Sequence, residues 1–336
     1  MYKNWFHKQF LFFLKIIIFL SMESYVILDH AEDKHKKILM VNWFMGNTCN
    51  YACSYCPAFL HDGSTKWPDF VVVKTFILDF VSRHQDKTIY FEFTGGEITM
   101  WKHFKELAML VHDLGCKVSI ITNGSRTLRW WSETIKYIDC INVSFHAEFT
   151  TLAEFKEKIM FMAPQTRVHV NVIMNPDKFD ICSELAEDLV VSVDDITISL
   201  QPVVDLEKCI NLDNYTDEQR SYIDSQENLR VKISHTREVD TTRGEMYKID
   251  STGNKELVST SQLIVNQENS WVGWKCNAGV EQIIITDKGD IYRGWCMVGG
   301  TIGNIYSSAK LPTEPIICHK QTCHCNFDIT CKKTKN

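Results

Sequence analysis

Between Lys37 and about Pro202 the chain alternates apolar runs with stretches of helical spacing, and this rhythm limits the fold more than any other feature. The runs Leu39–Met45, Thr88–Phe93, Lys117–Thr122, Cys140–Phe145, Arg167–Met174 and Asp195–Leu200 read as strands. Helices are expected over Phe70–Arg83, Lys102–Leu114, Leu128–Tyr137, Leu152–Phe161 and Ile181–Val190. Phe76, Ile77, Phe80 and Val81 recur at one-helix-face spacing, and Gly115 after Leu114 suits a C-cap. Val- and Ile-rich strands separated by helices argue a parallel sheet with helices outside. Six units fall short of an eight-stranded barrel.

The first run leads into Cys49-Asn-Tyr-Ala-Cys53-Ser-Tyr-Cys56, a CX3CX2C loop. Thiolate is the ligand of iron–sulfur clusters. Three thiolates on one loop hold three irons of a [4Fe–4S] cube and leave the fourth iron open, and an open position marks a catalytic metal site. A zinc site, a disulfide pair or chance are the other readings. Zinc loops favour CX2C pairs with four ligands, and here only Cys53 and Cys56 have that spacing.

CX3CX2C with an aromatic residue, Tyr55, before the last cysteine resembles the cluster loop of the radical S-adenosylmethionine (radical SAM) enzymes. The resemblance implies a partial (β/α)6 barrel. It also implies a reduced [4Fe–4S] cluster that cleaves SAM to a 5′-deoxyadenosyl radical, which takes a hydrogen atom from substrate. In such barrels the chemistry lies at the C-terminal strand ends. The second strand ends in Gly95-Gly96-Glu97, which matches the family's GGE contact to the amino group of SAM; a glycine turn before a helix is the plainer reading. The third ends Thr122-Asn123-Gly124, implied to face SAM, with a simple Asn-Gly turn as alternative. After the fourth strand, Ser144 is the candidate SAM contact. His146 and Glu148 face the same way by strand alternation and are candidate catalytic groups toward substrate, or else polar strand-end residues bonded to neighbours. Asn171 and Gln201 are weaker candidates for the barrel lining.

The 336 residues suit one large domain or two ordinary ones. Net charge is −6 with scattered Lys and Arg, so neither nucleic acid nor a charged membrane surface is a natural partner. Of thirteen cysteines, seven fall in two groups, Cys49–Cys56 and Cys318–Cys331, which favours metal or catalysis over disulfides. Cys116, Cys140, Cys182 and Cys209 read as buried small hydrophobes. Phe10–Leu20, preceded by Lys3 and Lys8, has the size of a signal-peptide core and is short of a membrane span. No small-residue cleavage site follows. A start at Met22, or an apolar helix that packs on the domain or touches a membrane, are the alternatives, and a cytoplasmic protein is the expectation.

From Val203 to about Gln267 the chain is polar. Thr216 is expected to cap a short helix to Ser225. Val231–Ile233 and Glu245–Ile249 are expected as a hairpin, and Ser251–Asn254 as a turn. Beyond Trp271 lie Cys276, a strand–turn–strand over Glu281–Tyr292, Cys296, a Gly303-Asn304 turn, then Cys318, Cys323, Cys325 and Cys331. This order resembles the SPASM/Twitch extension of radical SAM enzymes, which implies a second, auxiliary [4Fe–4S] cluster. Cys276, Cys296, Cys323 and Cys325 are the first-choice ligands, Cys318 competes, and Cys331 stands outside the set. Structural zinc is the alternative, because zinc and iron–sulfur clusters share thiolate ligands. The expected segments are 1–36, an apolar N-terminal stretch; 37–206, the core; 207–269, a linker; and 270–336, the auxiliary domain.

The function implied is a radical SAM enzyme acting on a small molecule or sugar, supplied with electrons by a donor such as flavodoxin or ferredoxin. The auxiliary cluster would assist oxidation or bind substrate. A maturase of ribosomal peptides is the alternative in the same class. A non-catalytic iron–sulfur or zinc-binding protein is the alternative in another.

Overall fold

The computed structural model describes residues 25–205, 210–211, 214–225, 243–307 and 310–336. The apolar stretch Phe10–Leu20, Val231–Ile233 and Cys209 lie outside the described residues. Two compact units form, and they cut across the expected segments. The larger comprises described residues of Lys37–Thr242 and Gly279–Thr313. The smaller comprises described residues up to Lys36, with Arg243–Ala278 and Glu314–Asn336.

The larger unit is built on one nine-stranded sheet. Its strands are β1 (Ile38–Phe44), β2 (Thr88–Thr94), β3 (Lys117–Thr122), β4 (Cys140–Phe145), β5 (Arg167–Met174), β6 (Ile196–Pro202), β7 (Gln282–Ile285), β8 (Asp290–Tyr292) and β9 (Thr301–Asn304). Their order is β9-β8-β7-β1-β2-β3-β4-β5-β6. Neighbours from β1 to β6 pair in parallel, as the alternation of strand and helix requires. Helices α1 (Phe70–Arg83), α2 (Phe104–Asp113), α3 (Leu128–Thr134), α4 (Leu152–Met162) and α5 (Phe179–Ser192) connect them. Among the described residues the sheet is open, with β6 and β9 as edges.

The hairpin after Cys276 corrects the sequence reading. It was expected in the C-terminal extension, yet β7 pairs in parallel with β1, and β8 and β9 follow antiparallel. Gln282, Ile283, Ile284 and Ile285 are all buried, the pattern of a strand covered on both faces.

Strand alternation separates two chemistries. One face of the sheet carries Val41, Trp43, Phe91, Phe93, Val118, Ile120, Ile141, Val143, Val168, Val170 and Val172, all in the main core with residues of α1 to α5. Each large apolar side chain buried there contributes about 1.5–3 kcal/mol. The opposite face carries Asn42, Glu92, Ser119, Asn142, Ser144, His169, Asn171 and Ser199, and it is this polar face that leads to the strand-end loops. Helix starts follow local chemistry: Asp69 accepts from Val71 N and Val72 N, and Thr151 and Glu154 form a capping box. Thr216 caps Asp217–Asp224 with Gln219, as expected.

The smaller unit has a six-stranded sheet in the order Lys255–Val258, Met246–Ile249, Ile27–His30, Lys333–Thr334, Lys275–Cys276, Ile316–Ile317. Met246–Ile249 forms a hairpin with Lys255–Val258 across the Ser251–Asn254 turn. Asp250 accepts from Thr252 N and Asn254 N, which sets that turn. Leu28, Met246, Val258, Leu263, Trp271 and Ile329 form its core. Among the described residues no helix is long and apolar enough to cross a membrane.

Candidate functional site

The loop after β1 carries Cys49, Cys53 and Cys56, and segments following β2, β3 and β4 hold it. From β2, Gly95 and Gly96 press on the backbone that enters the loop. A Cβ on Gly95 would stand 2.4 Å from the Gly46 carbonyl oxygen, and one on Gly96 2.2 Å from that of Thr48. Both have positive φ, 104° and 48°. The glycines are thus fixed by contact with the loop's own backbone, a reason the sequence did not reveal. Glu97 N donates to Thr48 O at 2.8 Å and closes this junction.

The Glu97 side chain is fully buried (0% exposed). One carboxylate oxygen accepts from Thr99 N, Thr99 Oγ1 and Thr122 Oγ1; the other accepts from Asn123 N at 2.6 Å. Burial pushes its pKa up against these bonds. Glu97 therefore ties the segment after β2 to the turn after β3. Asn123 Nδ2 in turn donates to Asn50 Oδ1 at 3.0 Å and lies 3.8 Å from Cys49 Sγ.

After β4, His146 and Glu148 turn onto the loop. Glu148 accepts from Ser54 N at 2.8 Å and from Ser54 Oγ, and takes a third bond from Asn175 Nδ2 at 3.0 Å. His146 Nδ1 lies 2.8 Å from Tyr55 Oη and 3.5 Å from Cys53 Sγ. The rings of Tyr55 and His146 stack, and Tyr51 stacks on Phe149. Of the two readings the sequence leaves open, these contacts fit polar strand-end residues bonded to neighbours: both Glu148 oxygens and His146 Nδ1 are engaged with the loop. Ser144 is half-buried and pairs with Asn171 on the neighbouring strand.

The three thiols sense one another. Burial raises the pKa of all three, Cys53 to about 12, where Glu148, Cys56 and Cys49 add repulsion. Without metal they are therefore protonated at neutral pH, and a bound metal ion has to displace the protons. Among the described residues no three Cys, His, Asp or Glu side chains already stand at closed metal-site separation. The donor set nevertheless fits a cluster with one open iron: three soft thiols on one loop, with Glu148 turned away to Ser54.

A second group of cysteines sits in the smaller unit. Cys276 lies on the strand between Ile316–Ile317, which leads to Cys318, and Lys333–Thr334, which follows Cys331. Cys276 and Cys331 pack together with Ala278 in one buried cluster. The neighbouring Cys331 thiol and the Lys333 ammonium pull the Cys276 thiol down, while Cys331 is pushed up. Lys333, 1% exposed, donates to the carbonyls of Asp328, Ile329 and Cys331 at 2.7, 2.8 and 2.9 Å and sits 4.5 Å over the Trp271 ring. Cys331, outside the ligand set that spacing suggests, is thus the direct partner of Cys276. Cys296 belongs to the larger unit. Cys325 precedes the short helix Asn326–Ile329. Cys116, Cys140 and Cys182 are buried, as expected.

Comparisons with known proteins bear on the larger unit. Residues 43–160 match the family model of the Radical SAM superfamily. A curated relative from Fibrobacter sp. (strain UWH6), the S-adenosylmethionine-dependent nucleotide dehydratase, is 22% identical over 167 residues, 43% of this chain. The chain spans about half (50%) of that protein. The crystal structure of Streptococcus suis SuiB bound to precursor peptide SuiA superposes with a TM-score of 0.50 at 14% identity, over 82% of this chain and 65% of that one. Native anSMEcpe with bound AdoMet superposes at 0.48, with 13% identity over 81% and 79%.

Proposed function

We propose that this chain, whose residues 43–160 match the Radical SAM model, is a radical SAM enzyme whose CX3CX2C loop is the catalytic centre. The observation that carries the reading is the convergence on one loop of Cys49, Cys53 and Cys56 with the segments after β2, β3 and β4. A [4Fe–4S] cluster held there by Cys49, Cys53 and Cys56 would supply the electron for reductive cleavage of SAM to a 5′-deoxyadenosyl radical.

The chain's own residues have simpler tasks. Cys49, Cys53 and Cys56 give up their protons and hold three irons. Gly95 and Gly96 keep the loop entry against β2, and Glu97 and Asn123 brace it from β3. Tyr55, Gly95, Gly96, Glu97, Thr122, Asn123 and Ser144 are the proposed SAM-side residues. Ser144 offers its hydroxyl, whereas Glu97 acts through the turn it holds.

The substrate reading is a small, neutral, hydroxyl-rich molecule such as a sugar or the sugar part of a nucleotide. On the polar face of β4–β6, Asn142, His169 and Thr197 stand side by side in register, and so do Ser144, Asn171 and Ser199. His169 bonds Thr197 Oγ1 at 2.7 Å, and Asn171 Oδ1 and Ser199 Oγ at 3.2 Å. None of these six is charged at neutral pH, since burial lowers the pKa of His169. Uncharged donors and acceptors in rows suit hydroxyl groups. The relative named for nucleotide dehydration agrees with this; the peptide bound by SuiB marks the alternative, a peptide maturase.

The smaller unit is proposed to hold an auxiliary metal centre on Cys276 and Cys331 with Cys318, Cys323 or Cys325, a four-iron cluster being favoured over zinc by the domain upstream. The test of the main reading is SAM cleavage by anaerobically reconstituted, reduced protein. Methionine and 5′-deoxyadenosine should form slowly without substrate, and Cys49→Ala, Cys53→Ala or Cys56→Ala should each abolish it. A protein that holds the first cluster by its spectrum yet makes no 5′-deoxyadenosine above the triple variant would refute the reading and leave a metal-binding protein without this catalysis.

A further inference from the structure

The polar face of β4–β6 carries a further side chain that its two neutral rows do not use. Arg167 opens β5 and stands two residues before His169, so by the period of two it faces the same way as His169 and Asn171. The face therefore has three successive rows. Asn171 with Ser199 lies nearest the C-terminal strand ends, His169 with Thr197 comes next, and Arg167 with Cys140 lies deepest. Arg167 alone among these is a permanent cation. It is half-buried, and its Nη1 is buried with no hydrogen-bond partner among the described residues.

A guanidinium has donors only and never loses its charge. A buried donor left without an acceptor costs about 1–3 kcal/mol, and more when it is charged. The carboxyl in the same row does not relieve it. From Arg167 the register runs through Cys140 on β4 and Ser119 on β3 to Glu92 on β2. That is three strands, about 14 Å at the usual strand separation, and Glu92 accepts from Asn42 instead. The charge is felt on this face all the same: burial first, and the Arg167 charge with it, hold the His169 pKa down. The planar fork of a guanidinium matches the oxygens of a phosphate two at a time.

We propose that Arg167 is the anion-binding end of the substrate site, and that the substrate is a phosphorylated sugar with its phosphate on Arg167 and its ring hydroxyls on the two neutral rows. This rests on the proposed function, since it takes that face as the sugar site. It selects a sugar that carries phosphate, as in a nucleotide, over a free sugar. The spacing suits such a molecule: successive rows are about 6.6 Å apart along a strand, so the three span about 13 Å, room for a ring and a phosphate ester in line. Arg167 begins β5, whereas the cysteine loop follows the far end of the parallel strand β1. The charge thus sits away from the proposed chemistry. Binding energy gathered there, from a group that does not react, holds the ring in place for hydrogen abstraction.

The experiment is a calorimetric titration of reconstituted protein with SAM and no reductant, so that nothing turns over. The probes are ribose and ribose 5-phosphate. Wild type should bind ribose 5-phosphate about tenfold or more tighter than ribose. Arg167→Gln should bring the two to within about threefold of each other. Arg167→Lys should keep part of the preference, because the charge stays while the fork is lost. Asn171→Ala should weaken both probes alike and leave their ratio unchanged. SAM affinity, measured before sugar is added, should be the same in wild type and Arg167→Gln. Three outcomes overturn the proposal: no preference for ribose 5-phosphate in wild type, a preference that survives in Arg167→Gln, or an Arg167→Gln protein that loses SAM affinity, which would assign the anion to the SAM carboxylate. Should Arg167→Gln not fold, Arg167→Lys decides, and a wild-type ratio in that variant refutes the proposal. Ribose that binds wild type no better than Asn171→Ala fails the proposed sugar site itself, so the two failures are told apart.

Discussion

Replacing Glu92 by Gln should change how stability depends on pH. Glu92 sits on the polar face of β2, in register between Asn42 on β1 and Ser119 on β3. It is 5% exposed, accepts from Asn42 Nδ2 at 2.5 Å and has Ser119 Oγ at 3.4 Å. Burial raises its pKa from 4.5 to about 7, and these two neutral bonds only partly oppose the shift. A carboxyl whose folded pKa exceeds its unfolded one stabilises the fold fully below the unfolded value. That stability is lost as pH rises through the folded value. A shift of this size, taken at about 1.4 kcal/mol per unit, amounts to about 3 kcal/mol lost between pH 4.5 and 7. About 2 kcal/mol of it falls between pH 5 and 7.5. The amide introduced by Glu92→Gln keeps the Asn42 bond and carries no charge, so the variant lacks this loss. His146 works in the opposite sense: burial lowers its pKa to about 4, so its contribution grows as pH rises toward its ordinary range. The wild-type slope is therefore a sum of opposed parts, and only the difference between the two proteins isolates Glu92. The assay is urea unfolding of metal-free, reduced protein at pH 5 and pH 7.5, followed by fluorescence of the buried Trp43 and Trp131. Glu92→Gln should gain about 2 kcal/mol relative to wild type on going from pH 5 to pH 7.5. A difference that stays flat across this range would refute the argument, because it would mean that the carboxyl ionises as freely in the fold as in the unfolded chain.

Other outcomes follow from single contacts. Gly96→Ala drives a Cβ to 2.2 Å from Thr48 O at φ 48°, so the loop entry must shift; iron uptake at Cys49–Cys56 should fall severely, and the melting temperature should drop by the equivalent of about 1–3 kcal/mol or more. Glu97→Gln replaces an acceptor by a donor opposite Asn123 N or Thr122 Oγ1 and should cost about 1–3 kcal/mol in chemical unfolding, with weaker SAM binding as the turn after β3 loosens. Reconstituted protein should hold about eight irons and eight sulfides in two four-iron clusters. Cys331→Ser should then lower the iron count as far as Cys276→Ser does, while Cys116→Ser leaves it unchanged; zinc without labile sulfide at the C-terminal cysteines would refute the auxiliary cluster.

The elements that sequence locates best are those whose signal is local. Lys117–Thr122, Cys140–Phe145 and Arg167–Met174 have the bounds expected, because each alternates apolar and polar residues between turn signals. Phe70–Arg83 likewise begins at an Asp that caps it and ends where the apolar face stops. The errors lie where the answer depends on a distant partner. Gln282–Ile285 is buried at every position, which shows that both faces are covered but not by what; its partner is β1, more than 230 residues earlier by the pairing of Gln282 with Met40. Spacing sets Cys331 aside, yet its partnership with Cys276 comes from the pairing of Cys276 with Lys333, which brings residue 331 to the same side by the period of two along a strand. The same physics separates what is legible at the loop from what is not. Ligand chemistry depends on residue type, so three thiols at CX3CX2C point to a thiolate-bound metal centre by themselves, with zinc, a disulfide pair or chance as the other readings of the spacing. The groups behind the ligands act through hydrogen bonds of defined length, and these join Ser54 and Tyr55 to residues more than ninety positions away. Alternation could orient His146 and Glu148 to one face, but only the folded sheet brings the cysteine loop into hydrogen-bond reach of both.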